Sequence, residues 1–361
     1  MDTVAFIESH YVKERGLPPE NTVDFLKKTY LDQGKLGTKC SLGGLYPPSK
    51  TQGSYGPKIL VLDVGLSAPV PTLGSGEVLE FSADGKNQRV LVGKQALPDG
   101  VALDSATGRM FWTNMGIPGK IDGAVYSANL DGTDVQTVIS PGSINTPKQL
   151  ALDSAARKLF FSDREGCRVY RCNFDGSDLE ALISNGDYEH SQDTDDVSKW
   201  CVGITVSSKL GKFYWTQKGP SKGRQGRIFC ADIPASMGQP PLSRDNVHCL
   251  LEGLPEPIDL EINEESGYLY WTDRGEIPFG NSLNRTRLNE SGQLATTSSI
   301  QKFEVLTRHL KEAIGLKLDT KRGQVYLTDL GGHIYRCGMD GKNKEIIFHD
   351  DHRALTGIAL L

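Results

Sequence analysis

The feature that most constrains this chain is a tetrapeptide that recurs five times. Each copy has an aromatic residue, a large apolar residue, Thr or Ser, and then an acid or amide, as in Tyr270-Trp-Thr-Asp273. A short apolar run precedes each copy, and a further strand-like run with a Gly-containing turn follows most of them. Four short runs per repeat, separated by tight turns, predict one antiparallel blade of a β-propeller. The copies begin 49 to 56 residues apart, at Phe111, Phe160, Tyr214, Tyr270 and Tyr326.

The number of repeats predicts the number of blades. Five complete units lie between about residues 97 and 350, and a sixth is split between the two ends of the repeat region. Residues 58–63, 77–81 and 89–92 supply three of its strands, and residues 357–360 supply the missing first strand. The sequence thus predicts an all-β, six-bladed propeller closed by pairing of its N- and C-terminal strands, which removes an exposed sheet edge. The 361 residues exceed what one core usually serves, and six small cores in a ring account for that length.

The first 57 residues have a different pattern. Residues 3–14 and 22–32 each place apolar side chains on one helical face, and Gly16-Leu-Pro-Pro19 separates them. Residues 34–57 are rich in Gly, Ser and Pro and are typical of a connector. We therefore expect two domains, an N-terminal helical arm with its connector over residues 1–57 and the propeller over residues 58–361. The arm is expected to pack on the propeller or on a second copy of the chain, which would give a homodimer.

The repeated motif with its Asp-Gly turns resembles the low-density-lipoprotein-receptor class B repeat, the Tyr-Trp-Thr-Asp propeller. The resemblance covers about residues 58–361 and implies the six-bladed fold, but it says little about function. It also implies that the acid closing each motif is structural and ties neighbouring blades together. That role carries over to Asp163, Asp273, Asp329 and Asp63, whereas Asn114 and Gln217 depart from the motif.

Composition and missing motifs narrow the function classes. With 40 basic and 45 acidic residues the chain lacks the basic excess of a nucleic-acid binder. No apolar run is long enough to span a membrane. The seven cysteines form no Cys-x-x-Cys pair and the N-terminus has no signal-like segment, so we expect free thiols and a cytoplasmic protein. Standard hydrolase, metalloprotease, phosphate-loop and dinucleotide signatures are missing.

Aligning the repeats identifies the residue at which each first strand enters the central channel. Half of these six positions are aliphatic, and the two charged ones, Asp99 and Lys148, carry opposite signs. Such a ring is a poor cage for a divalent cation, so we expect no metal and no cofactor. It suits an apolar organic substrate in a pocket at the channel mouth, with Asp99 and Lys148 at the rim. The six ring positions are Asp99, Lys148, Val202, Ile258, Ile314 and Thr356.

Further candidates flank the ring on the same face. We expect Lys148, Asp99 and Arg164 to act in catalysis. Trp200 is placed to stack on a ligand, and Tyr188 to close over it from a long loop. The expected substrate contacts are Trp200, Met115, Val202, Ile258, Ile314, Thr356, Arg274 and Tyr188, with Glu256, Glu312 and Lys218 beside them.

Three functions fit these observations. The propeller is similar to stand-alone propellers of fungal secondary metabolism, among them hetero-Diels–Alderases, which implies a cofactor-free cyclase. Such an enzyme would hold two apolar partners in a near-attack geometry while Lys148 or Arg164 polarises a diene oxygen. The first alternative is a metal-dependent lactonase, because Pro98-Asp99-Gly100 resembles the metal-ligand turn of the gluconolactonase family. The second is a non-enzymatic module that binds a protein or ligand on its flat face.

Overall fold

The computed structural model describes residues 56–117, 119–187, 191–295 and 302–361. Their strands form six four-stranded antiparallel sheets, so the predicted six-bladed all-β propeller is confirmed. The two helices predicted for the N-terminal arm lie outside the described residues. The helical turns of the described part are α1 (Ser191–Thr194) and two 3-10 segments, Val197–Lys199 and Arg244–Asn246. Within that part no helix has the length and apolar character needed to cross a lipid bilayer.

The strands follow the predicted repeat, with the first strand of each blade innermost and the fourth outermost. The split blade contains β1 (Ile59–Asp63), β2 (Gly76–Phe81) and β3 (Gln88–Gln95). The next two blades are β4 (Pro98–Asp104), β5 (Arg109–Asn114), β6 (Gly123–Asn129), β7 (Gln136–Ile144) and β8 (Pro147–Asp153), β9 (Lys158–Asp163), β10 (Arg168–Asn173), β11 (Glu180–Ser184). Then come β12 (Cys201–Ser207), β13 (Lys212–Gln217), β14 (Gly226–Asp232), β15 (Val247–Leu254) and β16 (Pro257–Asn263), β17 (Tyr268–Asp273), β18 (Ser282–Arg287), β19 (Glu304–Thr307). The last blade is β20 (Ala313–Asp319), β21 (Gln324–Asp329), β22 (His333–Gly338), β23 (Glu345–His349), and β24 (Leu355–Leu360) returns to the split blade.

The ring closes by pairing between the two ends of the repeat region. β24 runs antiparallel to β1, with Ile59 opposite Leu360 and Val61 opposite Ile358. The split blade therefore has the order β24-β1-β2-β3, as predicted. Because β24 and β1 come from opposite ends of the repeat region, the chain does not connect them directly within the blade. The closure depends on backbone hydrogen bonds, packing and the ion pairs of Arg353 with Asp63 and Glu77.

The first two motif residues pack into two different cores because successive side chains of a strand point to opposite faces. Trp271 joins the cluster shared with Tyr214 and Leu260, between its own blade and the preceding one. Tyr270 joins the cluster that contains Leu316 and Leu327 of the following blade. Each motif thereby anchors its blade to both neighbours, which is why the repeat builds a ring of inter-blade cores.

The last two motif residues satisfy the backbone near the axis. The Thr272 hydroxyl accepts the Asp259 N–H at 3.2 Å and donates to the Ile314 carbonyl of the next blade at 2.6 Å. The Asp273 carboxylate accepts the Glu256 N–H at 3.0 Å and the Gly275 N–H at 2.9 Å. The motif acids are thus structural, as the resemblance implied, and burial raises the pKa of Asp273 to about 7 and that of Asp163 to about 6.

Candidate functional site

The ring of six entry positions is closed at the level of its side chains. Val202, Ile258 and Ile314 are buried and pack together, with Leu330 against them. A pocket at the channel mouth above this layer stays a prediction, but at the level of these side chains the ring is filled. The reason is the next position, which is glycine in four blades and lets the inner strands approach closely. A Cβ on Gly203, for example, would lie 2.0 Å from the Ile258 carbonyl oxygen.

Asp99 and Lys148 form an ion pair inside this closed layer. Lys148 Nζ lies 2.7 Å from Asp99 Oδ1, and their side chains are 10% and 1% exposed. The Met115 sulfur lies 3.2 Å from the same ammonium, and Gln149 donates to the second Asp99 oxygen at 3.1 Å. Burial, together with nearby Arg164 and Arg274, lowers the pKa of Lys148, although Asp99 opposes the shift. The sixth ring residue, Thr356, donates to the Pro98 carbonyl at 3.0 Å.

Above the closed layer lies a charged face centred on Trp200. The Arg164 guanidinium carbon is 5.1 Å and Lys218 Nζ is 5.4 Å from the centre of the Trp200 ring, both within the range of cation–π attraction. The indole N–H donates to the Thr194 carbonyl at 2.7 Å, which fixes the ring. We call the surface formed by Arg164, Trp200, Lys218 and Arg274, with Lys148 beneath them, the Trp200 face.

Cations outnumber carboxylates on the Trp200 face. Among the described residues, the four cations that define this face have Asp99, Glu165 and Glu256 as their closest acids. Glu256 accepts from Lys218 at 3.0 Å and also pairs with Arg274. Burial acts to raise the pKa of Glu256, but the charges of Arg274 and Lys218 outweigh it and lower the pKa. Burial also lowers the pKa of Lys218, with Arg274 and Arg164 adding to the effect.

The structure brings most of the predicted site residues together in these two layers. Val202, Ile258, Ile314 and Thr356 form the floor, and Met115 contacts Lys148 from above it. Tyr188 lies outside the described residues. Sequence reasoning assigned no role to Glu165, whose carboxylate pairs with Arg164, although its position next to Arg164 in the chain was a usable signal.

A cavity of about 570 Å³ occupies the other end of the channel, below the closed layer. Its lining runs from Gln149 and Asp259 to Ser208 and Thr320, where the first strands end. Lys317 pairs with Glu261 inside it. Burial raises the pKa of Asp259 to about 8, although its carboxyl accepts the Leu316 N–H at 3.0 Å. The sequence carried a signal for Asp259 that was missed. It is an acid at the position after the ring residue, where four of the six blades carry glycine.

The described residues give little support to a metal site. No three His, Cys, Asp or Glu side chains among them are grouped so that they could hold an ion. Asp99, which resembles a lactonase ligand, is already neutralised by a tethered ammonium. Six cysteines of the described part are free, and Cys249 is exposed while the other five are buried.

Comparison with solved structures defines the class of protein. A chain in the crystal structure of the nidogen/laminin complex superposes with a TM-score of 0.61 and 18% identity, covering 84% of this chain and 98% of its own length. TolB from Acinetobacter baumannii gives a TM-score of 0.58 at 10% identity, covering 84% of this chain and 66% of its own. These likenesses show the fold alone, a β-propeller.

Curated relatives define the family. The chain is 47% identical over 364 residues to the Cochliobolus heterostrophus protein named 3-hydroxyacyl-CoA dehydrogenase-like protein LAM1, covering 100% of this chain and 77% of that protein. It is 42% identical over 315 residues to the Pyricularia oryzae protein named low-density lipoprotein receptor-related protein 1, covering 86% of this chain and 99% of that protein. No family model matches the chain. The chain belongs to the family of fungal propeller proteins that these two relatives represent.

Proposed function

We propose that the protein is an enzyme of small-molecule biosynthesis that activates a carbonyl oxygen of an otherwise apolar substrate on the Trp200 face. The reaction class we favour is a cofactor-free cyclisation of the hetero-Diels–Alder type. The observation that carries the proposal is the pair of cations, Arg164 and Lys218, held against one aromatic ring. An aromatic surface for an unsaturated substrate and donors for its oxygen thus occur side by side.

The exposure of the cations assigns their roles. Arg164 and Arg274 keep 27% and 25% of their side chains exposed, so they can reach a substrate oxygen. Lys148 and Lys218 are only 10% and 7% exposed and act from below, through the field of their charges. In the cycloaddition the C=O π bond, the diene C=C π bond and the alkene π bond are lost, while a C–C bond, a C–O bond and a new π bond form. When the C–C bond forms ahead of the C–O bond, the oxygen carries partial negative charge in the transition state. Donors already aimed at it stabilise the transition state more than the ground state.

The two partners must also be held together. Trp200 and Met115 offer a flat apolar contact beside the guanidinium groups, and binding there would convert a bimolecular encounter into a unimolecular step. Fixing two partners in this way is worth several kcal/mol, roughly 7–11 at the extreme. The name of the Cochliobolus relative, which refers to a hydroxyacyl thioester dehydrogenase, supports an oxygenated acyl-type small molecule as the substrate class. The paired strands of the described propeller are all antiparallel and offer no βαβ unit for a dinucleotide.

The test is an assay with an o-quinone methide and a polyene alkene as partners. We expect the protein to raise the rate and to give one enantiomer in excess. Arg164→Met should lower the rate at least tenfold, because a donor to the developing oxyanion is lost. Lys317→Met, which removes a cation at the opposite end of the channel, serves as the matched control and should leave the rate unchanged. Racemic product at the uncatalysed rate would refute the proposal.

A non-enzymatic binding module is the second candidate. The filled ring favours it, because a flat face without a deep opening is more typical of a protein-binding surface than of an active site. A face of paired charges and one aromatic residue, without an opening at the ring, also suits an acidic peptide or protein surface. Binding of such a partner that Arg164→Met weakens, with no turnover of any small molecule, would support this candidate against the first.

A further inference from the structure

A second cavity, of about 490 Å³, lies at the side of the propeller between the third and fourth blades in chain order. Strand β11 and the 3-10 turn at Val197–Lys199 form one wall, and strands β13, β14 and β15 form the other. It shares no lining residue with the Trp200 face or with the channel cavity. Its volume lies within the usual range for small-molecule sites.

The indole of Trp215 borders this cavity and lacks a hydrogen-bond partner. Trp215 is 1% exposed, and its Nε1 is a buried donor without an acceptor. A buried donor left unpaired is destabilising, so native structures normally supply an acceptor.

The equivalent site in another blade shows what is missing. Trp112 holds the same motif position, and its Nε1 donates to Gln95 Oε1 at 2.8 Å. The same oxygen accepts from Asn114 at 3.1 Å. Counting back from the first strand, the position of Gln95 corresponds to Ser198, which lines the cavity. Ser198 is too short to replace the amide, and its hydroxyl donates instead to Asp196 at 2.6 Å.

A third blade provides a contrast. Trp271 also has an unpaired indole nitrogen, but Leu254 occupies the position of Gln95 and packs with it in the same core cluster. The indole of Trp271 is thus covered by an apolar side chain, whereas Trp215 borders a cavity at the position from which the amide has been lost.

The charge of the cavity indicates what kind of acceptor fits. Arg227, opposite Gln217 on the neighbouring strand, lines it and has no carboxylate partner among the described residues. One of its nitrogens donates to the Ser198 carbonyl at 2.9 Å, and its guanidinium lies over the Phe229 ring at 5.3 Å. Phe229 stacks on Trp215, and Leu242 and Val247 extend this apolar wall. An open guanidinium beside an unpaired N–H favours a carboxylate.

We propose that this side cavity binds a small organic carboxylate whose aromatic or acyl body lies along the Phe229 wall. The carboxylate accepts from Trp215 Nε1 and Arg227 and takes the place that Gln95 fills in the other blade. The proposal does not depend on the function proposed for the Trp200 face.

The experiment titrates the full chain with sodium 2-naphthoate and sodium decanoate by calorimetry, with 2-naphthylmethanol as the uncharged analogue. We expect saturable binding of at least one carboxylate and much weaker binding of the alcohol. Trp215→Phe, which keeps an aromatic ring but removes the N–H, should weaken binding roughly tenfold. Trp271→Phe is the matched control and should bind as the unchanged protein does. Ser198→Gln should abolish binding and raise the melting temperature, because it restores the missing amide.

The titrations give results that either support or overturn the carboxylate site. Failure of both carboxylates to bind the unchanged protein overturns the proposal, as does binding that survives Ser198→Gln. Equal affinity for 2-naphthoate and its alcohol overturns the carboxylate specificity. Should Trp215→Phe fail to fold, Ser198→Gln and Arg227→Gln provide the test, since both residues are partly exposed and neither substitution removes a core side chain.

Discussion

Asp259 occupies a position at which four of the six blades carry glycine. Its two oxygens accept the N–H groups of Leu260 and Leu316, at 2.9 and 3.0 Å, so it links two neighbouring inner strands. Burial is the larger influence on this carboxyl and raises its pKa from 3.8 to about 8, with Glu261 adding to the shift. The side chain is 8% exposed and borders the channel cavity.

The raised pKa makes stability depend on pH in a defined direction. Between pH 4 and 8 the unfolded chain has released this proton and the folded chain still holds it, so stability falls as the pH rises. Asp259→Asn does not titrate and loses one acceptor, so it should be less stable than the unchanged protein at pH 5. That deficit should shrink towards pH 8 by at most about 1.4 kcal/mol per pH unit. Urea unfolding at both pH values measures it, with the exposed Asp84→Asn as control. A deficit that is constant across this range would contradict the prediction.

At the scale of the element, the motif hydroxyl explains how neighbouring blades are joined near the axis. Thr113, Thr216 and Thr272 each donate to the carbonyl of a ring residue in the next blade, at 2.6 to 2.7 Å. In the split blade the position falls on Leu62, which has no hydroxyl. There the neighbouring blades are joined by Thr356 of β24 instead, whose hydroxyl donates to the Pro98 carbonyl of the next blade at 3.0 Å.

Removing one of these hydroxyls should therefore be costly. Thr272→Val keeps the shape of the side chain but leaves the Ile314 carbonyl and the Asp259 N–H unpaired in a buried place. We expect the free energy of unfolding to fall by about 2–6 kcal/mol, since each of the two unpaired groups costs about 1–3 kcal/mol. Thr137→Val, on the exposed part of strand β7, should change it by less than about 0.5 kcal/mol. Equal effects in the two variants, measured by urea unfolding at one pH, would show that the hydroxyl does not join the blades.

The elements were predictable from the sequence because their patterns are local and repeated. The sequence shows short runs with a period of two, Gly-containing turns and a first repeat that is split between the two ends. These patterns predicted the strands and also the pairing of β24 with β1. The candidate site was predictable only in part. The repeat alignment identified the ring residues, but whether Val202, Ile258 and Ile314 leave a gap depends on strand separations of a few ångströms. Those separations follow from contacts such as Gly203 against Ile258, which no single repeat reveals.

At the scale of the molecule, closure of the ring depends on a single strand. A chain ending at Arg353 loses β24, which leaves the inner edge of β1 unpaired and exposes the surface that Leu355 and Ile358 cover. We expect its melting temperature to fall by about 10 °C or more and the chain to associate through the open edge. A chain ending at Leu360 keeps β24 and loses only Leu361, with its bond to the Lys58 carbonyl and its packing on the neighbouring core cluster, and is the control. A monomeric product with unchanged melting, by light scattering and calorimetry, would contradict the role of β24.

The aliphatic layer of Val202, Ile258 and Ile314 has a consequence for how ligands can reach the propeller axis. A propeller axis is often drawn as a continuous channel, but here these packed side chains lie across it, between the Trp200 face and the cavity that Asp259 borders. The two faces are separate compartments with opposite bias, one rich in cations and the other lined by acids, and a signal between them would have to pass through the strands themselves.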